Sequence, residues 1–337
     1  ICAKGGTPVG NTYDFRVGFQ PFNLMPPDGT PAGMESFRWT IEECRRIGAR
    51  AFSLFPNLCP KEITSATLSE MAAMARENDI KLILYPFTVW GLAGLPLKVD
   101  AWGASGAAMG VSAPDDIPDP AVARKGVERT IMMAKALGSD ILCSGYGHSN
   151  VATSRYNKQH PFSEQRRFIE ANLRELAKML DGTGLTFAYE NHCDFSGREI
   201  ASVIETVASD NVKALYDFGN GAVACCDPME DLEYLAPYAV AAHFKDFAVV
   251  DNPLRTKTYP DMPMVFAGCY LGDGIIDFER ILAALIEKAP EPHGMCLLAE
   301  PAFKLPTNDA ERDDRVEYNR KISRQYVAKM LEIVEKF

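Results

Sequence analysis

Apolar residues along this chain follow two rhythms: short runs of strand length, and longer segments in which they recur every three to four positions. Regular alternation of the two predicts repeated β-α units and a parallel sheet. Eight strand candidates can be counted: FRVGFQPF (15–22), ARAFSLFP (49–56), IKLILYPF (80–87), DILCSGYG (140–147), LTFAYENH (185–192), VKALYDFGN (212–220), VAAHFKDF (240–247) and GMCLLAEP (294–301). The helices between them are also marked. In SEQRRFIEANLRELAKML, Phe168, Ile169, Leu173, Leu176 and Leu180 share one stripe, Ser163 is placed as N-cap, and Gly182 follows the end. The other predicted helices run from Met34 to Ile47, Ser65 to Glu77, Asp119 to Leu137, Gly197 to Ala208, Pro228 to Tyr238, Asp277 to Lys288 and Asp309 to Lys336.

Eight strands alternating with helices point to an α/β fold, a closed (β/α)8 TIM barrel. Such a barrel needs about 250 residues. The surplus in a chain of 337 is assigned to two long loops, 88–118 after the third strand and 248–274 after the seventh. No Ser/Gly linker or charge block divides the chain, so 1–337 reads as a single domain. An open doubly wound sheet shares the local alternation but normally carries a Gly-rich phosphate turn after its first strand. PFNLMPPDGT is nothing like GxGxxG.

Composition narrows the function classes. Hydrophobic content of 47% with 24% charged residues is that of a globular protein, and a formal net charge of −10 argues against a phosphate-backbone binder. No stretch reaches the roughly 18 to 20 consecutive apolar residues of a membrane span. ICAKGGTPVGNTYDF lacks the features of a signal peptide, so a cytoplasmic location is expected. The nine cysteines are odd in number and without CxxC spacing, which predicts buried reduced thiols rather than disulfides or zinc ligands.

Chemistry in a (β/α)8 barrel sits at the carboxyl ends of the strands. LTFAYENHCDF begins as a core strand and ends in Glu190, Asn191 and His192; the next strand ends in Asp217, the seventh carries His243, and the eighth ends in Glu300. If Glu190 points inward, so do Ala188 and Thr186; Leu215 accompanies Asp217, Ala241 accompanies His243, and Leu298 and Cys296 accompany Glu300. Each inward companion suits a barrel interior. Three carboxylates and an imidazole converging in a dry pocket would repel or protonate unless a cation lay between them. An oxygen-rich set with one nitrogen favours Mn2+, Mg2+ or Co2+, with Zn2+ not excluded by affinity. Mn2+ is the first expectation.

The motifs YENH, YDFGN, HFKD, GDGIIDF and LAEP, in this order, resemble the xylose-isomerase-like barrel superfamily of sugar isomerases and epimerases. That resemblance implies that Glu190, Asp217, His243 and Glu300 bind the metal and that the two glutamates form an acid/base pair on opposite faces of a sugar. The implied reaction removes a proton next to a carbonyl and passes through an enediolate. Ketose 3-epimerases of this family place a second His where this chain has Asn220, and an Arg where it has Val249. Substrate contacts are therefore expected to differ, with His148 a candidate proton donor and His192, Asn220, Lys245 and Trp90 candidate substrate contacts, and Asp246 beside Lys245 a further candidate.

The loop PFTVWGLAGLPLKVDAWGASGAAMG is unusually apolar, with Trp90, Trp102, Leu92, Leu95 and Leu97. It asks for a cover: a bulky ligand, a partner subunit, or plain packing against the barrel. A second reading follows, the catalytic subunit of a C-glycoside deglycosidase, a lyase that expels an aromatic aglycone from a 3-oxo-glycoside, with a small partner subunit; a homo-oligomer is the alternative assembly. A DNA-repair AP endonuclease of the same superfamily uses many histidines, whereas this chain has five and is acidic. A non-catalytic sugar-binding barrel has little reason to keep two opposed glutamates. The GDG turn at 272–274 is read either as a phosphate cradle or as a turn before the helix at Asp277.

Overall fold

A computed structural model describes residues 11–21, 24–27, 30–31, 33–55, 58–60, 62–94, 119–146, 154–252, 264–302 and 309–337. Eight parallel strands close on themselves: β1 (Arg16–Phe19), β2 (Ala51–Leu54), β3 (Lys81–Leu84), β4 (Ile141–Gly145), β5 (Thr186–Glu190), β6 (Val212–Asp217), β7 (Ala239–Phe244) and β10 (Cys296–Ala299), with β10 between β7 and β1. Closure settles the choice against an open sheet.

The period of two along the strands sorts side chains into two cores. Ala51, Ile83, Ile141, Cys143, Ala188, Leu215, Ala241, Cys296 and Leu298 form the cluster inside the barrel. Their neighbours Phe52, Leu82, Leu142, Phe187, Tyr216, Phe244 and Leu297 belong to the larger cluster that packs against the helices. Of the inward set expected from the sequence, Ala188, Leu215, Ala241, Cys296 and Leu298 are in this cluster, while Thr186 at the start of β5 is only half-buried and outside it.

The surrounding helices are α1 (Met34–Ile47), α2 (Ser65–Glu77), α3 (Pro120–Leu137), α4 (Phe162–Leu180), α5 (Gly197–Val207), the short α6 (Asn220–Val223), α7 (Pro228–Leu235), α8 (Phe278–Lys288) and α9 (Asp309–Val334). Local chemistry sets their ends: Asp119 accepts from Ala121 N, Ser196 and Glu199 form a capping box, and Gly48 and Gly138 close α1 and α3 in the left-handed region. Ser163 is not the N-cap of α4. The helix starts one residue earlier, after an extended Pro161 whose carbonyl accepts from Glu164 N and Gln165 N. A proline that already fixes φ serves as the entry, and Ser163 falls inside the first turn.

The long connection after β7 contains a two-stranded antiparallel sheet, β8 (Phe247–Asp251) with β9 (Met264–Gly268). After β3 the chain forms a 3-10 turn, Phe87–Gly91. No helix among the described residues is long and apolar enough to cross a membrane. The described cysteines are free thiols, four of them (Cys44, Cys143, Cys193, Cys296) buried.

Candidate metal centre

Strand register brings the chemistry together. Asp217 pairs with His243 across β6 and β7, and His243 with Leu298 across β7 and β10, two residues before Glu300. Glu190 ends β5 opposite Leu215. One ligand atom from each of Glu190, Asp217, His243 and Glu300 lies within 4.8 Å of the others. Glu190, Asp217 and His243 are buried, and the Glu300 side chain is 13% exposed, so the cluster opens through Glu300.

Each member is oriented by its neighbours. Asp217 Oδ1 accepts from Gly219 N and Asn220 N at 2.9 Å each, which turns the other carboxylate oxygen toward the cluster. Asn191 donates to Asp217 O at 3.0 Å and accepts from Asp217 N at 2.7 Å, tying the ends of β5 and β6. His243 directs Nδ1 at the carboxylates: 3.3 Å from Glu190 Oε1, 3.9 Å from Asp217 Oδ2, and in contact with Glu300 Oε2. Its Nε2 faces away, 2.6 Å from Gln20 Nε2 and 3.5 Å from Tyr85 Oη. Lys245 Nζ lies 2.9 Å from Asp217 Oδ2 and donates to Glu300 Oε1 and Asn220 Oδ1 at 3.0 Å each.

Electrostatics of the cluster are those of a site short of positive charge. Burial raises the pKa of Glu190, and the Glu300 carboxylate adds to it; burial also raises Asp217 against the pull of Lys245. Burial would lower His243, but Glu300 and Glu190 outweigh it and carry the imidazole up to about 10. Glu300 moves the other way, since Lys245 and His243 more than offset its burial and hold it below the usual carboxylate range. Asp217 Oδ2 and Glu300 Oε2 are buried and meet cations only as ion-pair contacts, without hydrogen-bond geometry. A dication fits this donor set. With a neutral imidazole, three carboxylates, one ammonium and one divalent ion sum to zero charge, and the two oxygens gain a partner.

Comparison with known proteins agrees with this architecture. Residues 41–300 match the family described as xylose isomerase-like TIM barrel. The chain belongs to this family. It is 28% identical over 130 residues to an uncharacterized Escherichia coli (strain K12) protein, YihM, a match that spans 35% of this chain and 37% of that protein's length. Among solved structures, a xylose isomerase-like TIM barrel protein from Mycobacterium smegmatis in complex with magnesium superposes with a TM-score of 0.63 at 15% identity, covering 95% of this chain and 98% of the other. An L-ribulose 3-epimerase superposes at 0.61 with 17% identity, covering 95% of each chain. At such identity the likeness to both structures is one of fold.

The remaining candidates of this barrel fall in different places. Asn220 and Lys245 join the cluster: Asn220 Oδ1 accepts from Lys245 and from Cys193 Sγ, both at 3.0 Å, while its Nδ2 donates to Asn191 O at 3.1 Å and lies 3.5 Å from Glu190 Oε1. His192 is at the rim, with a 16% exposed side chain whose Nδ1 is 3.9 Å from Asp194 Oδ1. Trp90 is buried with its ring against Tyr146 and Tyr189, and its indole N–H donates to Gly145 O at 3.0 Å. Plain packing is thus what the described part of the apolar loop shows. His148, Trp102, Leu95 and Leu97 lie outside the described residues.

Asp246 builds the GDG turn rather than facing the cluster. Its Oδ2 accepts from Gly272 N at 2.9 Å and Gly274 N at 3.0 Å, and its Oδ1 from Phe247 N at 2.9 Å and Ile276 N at 3.3 Å. An internal carboxylate therefore takes the N–H groups that a phosphate cradle would need. Gln20, Tyr85 and Cys193 join the surroundings of the cluster without a sequence motif that marks them. The available signal was phase: Gln20 follows β1 two residues after Gly18, a polar side chain at an inward position of a strand end.

Proposed function

We propose that this protein is a divalent-metal-dependent sugar isomerase or epimerase that works by proton abstraction next to a carbonyl. One observation carries the reading: two glutamates from separate strands, Glu190 and Glu300, share one aspartate and one histidine within 4.8 Å. Glu190, Asp217, His243 and Glu300 would hold the metal. A bound dication supplies Lewis acidity, polarising a carbonyl and its neighbouring hydroxyl so that the intervening C–H becomes acidic.

The chain's own residues do the rest. Glu190 and Glu300 approach from β5 and β10, so one carboxylate takes the carbon-bound proton and the other returns a proton, which inverts or relocates the centre. Lys245 on Glu300 and Asn220 beside Glu190 hold the two carboxylates in different hydrogen-bonding environments, so the two sides of the reaction are not equivalent. Burial of the cluster keeps bulk water from quenching the carbanionic species.

The test is solvent isotope exchange. Metal-loaded protein is incubated in heavy water with a panel of ketoses, aldoses and 3-oxo-glycosides, and C–H signals are followed by NMR. Metal-dependent deuterium entry into a free sugar, with a new isomer, is the expected result. Aglycone release confined to 3-oxo-glycosides would replace this reading with the deglycosidase one, and absence of exchange from every compound would overturn the proton-abstraction chemistry.

A further inference from the structure

Gln20 stands outside the ligand set but against it. It is 1% exposed, at the end of β1, and its amide nitrogen lies 2.6 Å from His243 Nε2 and donates to Tyr85 Oη at 2.7 Å. Among the described residues, its carbonyl oxygen accepts no hydrogen bond although it is buried. A buried amide with both contacts on the nitrogen and none on the oxygen is half satisfied, a costly arrangement in a dry interior.

Geometry on the other side of the ring decides which end of the amide faces Nε2. Nδ1 is the atom that faces Glu190, Asp217 and Glu300, so it is Nδ1 whose lone pair a shared cation would take. A neutral ring that ligates through Nδ1 carries its proton on Nε2 and needs an acceptor there. A half-turn of the Gln20 amide exchanges nitrogen and oxygen in nearly the same space. The oxygen then accepts from His243 Nε2–H, with the Tyr85 hydroxyl 2.7 Å from it as a second polar neighbour. The NH2 takes the place of a carbonyl that no described donor reaches.

We infer that Gln20 is a positioning residue that presents its carbonyl oxygen to His243, holding the ring as the Nε2–H tautomer with Nδ1 committed to the metal. This rests on the metal reading above. It adds β1 to the four strands, β5, β6, β7 and β10, that carry the ligand residues.

The experiment uses the full chain labelled with nitrogen-15 in its histidines and loaded with cadmium-113, observed by NMR. The expected spectrum has a protonated Nε2 on His243, with cadmium coupling at Nδ1. Calorimetry with Mn2+ then compares two variants: Gln20→Leu, which has no acceptor, loses about 10- to 100-fold in affinity, while Gln20→Glu, which keeps one, stays within about threefold of the parent. Cadmium coupling at Nε2, or an unprotonated Nε2 in the loaded parent, overturns the assignment whether or not the variants fold. Parental affinity in Gln20→Leu overturns it too. A parent chain that binds no cadmium would instead fail the metal reading itself, and this assignment with it.

Discussion

At the scale of single residues, the centre is a balance of three carboxylates against Lys245 and His243, and substitutions separate charge from chemistry. Glu190→Gln and Glu300→Gln remove one proton-transfer group each while keeping shape. Each is expected to lower turnover by at least about 100-fold with an unchanged circular dichroism spectrum. Near-parental turnover in either variant would remove that residue from the acid/base pair. Lys245→Met tests the counter-ion. The side chain is 8% exposed and touches Asp217 and Glu300, so its loss leaves buried negative charge and is expected to destabilise the metal-free protein by about 3 kcal/mol or more. Saturating Mg2+ should recover much of that loss, read as a smaller gap in Tm between variant and parent. A gap that metal leaves unchanged would mean that Lys245 does not share the cation's role.

At the scale of elements, carboxylates join segments that are distant in sequence. Asp231, on α7 and 2% exposed, accepts from Gly197 N at the start of α5 at 2.9 Å. Burial raises its pKa from 3.8 to about 6, partly opposed by that N–H. The sign follows directly: the folded chain holds this proton more tightly than the unfolded one, so the contribution to stability is complete below pH 3.8 and is lost as pH rises through about 6. The stability difference between Asp231→Asn and the parent should therefore shift in favour of the variant by about 2–3 kcal/mol between pH 4 and pH 7.5. A pH-independent difference by urea denaturation would contradict the assignment. Asp246 does for the GDG turn what Asp231 does for α5. Asp246→Ala frees the amides of Phe247, Gly272, Gly274 and Ile276, and hydrogen exchange over 271–276 is expected to accelerate; unchanged protection there would show that the turn holds without its carboxylate.

At the scale of the whole molecule, the barrel was legible because its rules are simple. Alternation within VKALYDFGN and VAAHFKDF placed Leu215 and Ala241 inside, and the same phase placed Asp217 and His243 at the top, where the structure has them. What escaped notice lacked such a phase. β8 and β9 fall within 248–274, which reads as loop in sequence; in the structure Val249, Val250, Met264 and Phe266 are exposed, so the hairpin has no inward face to mark it. Apolar content in a loop does not say which surface it covers, and the Trp90 ring packs against Tyr146 and Tyr189, the packing alternative for that loop. Gln20 is one amide among many in sequence, and only the proximity of β1 to β7 through β10 gives it a role.

Four neighbouring strands of the barrel bring Glu190, Asp217, His243 and Glu300 together as one proposed divalent-metal site. Electron paramagnetic resonance of added Mn2+ tests it most directly, by counting bound ions and detecting the nitrogen coupled to them. One tightly bound ion per chain is expected, with a single imidazole nitrogen in its coordination that disappears in His243→Ala. Binding without nitrogen coupling, or binding of equal strength in His243→Ala, would place the metal elsewhere and contradict it.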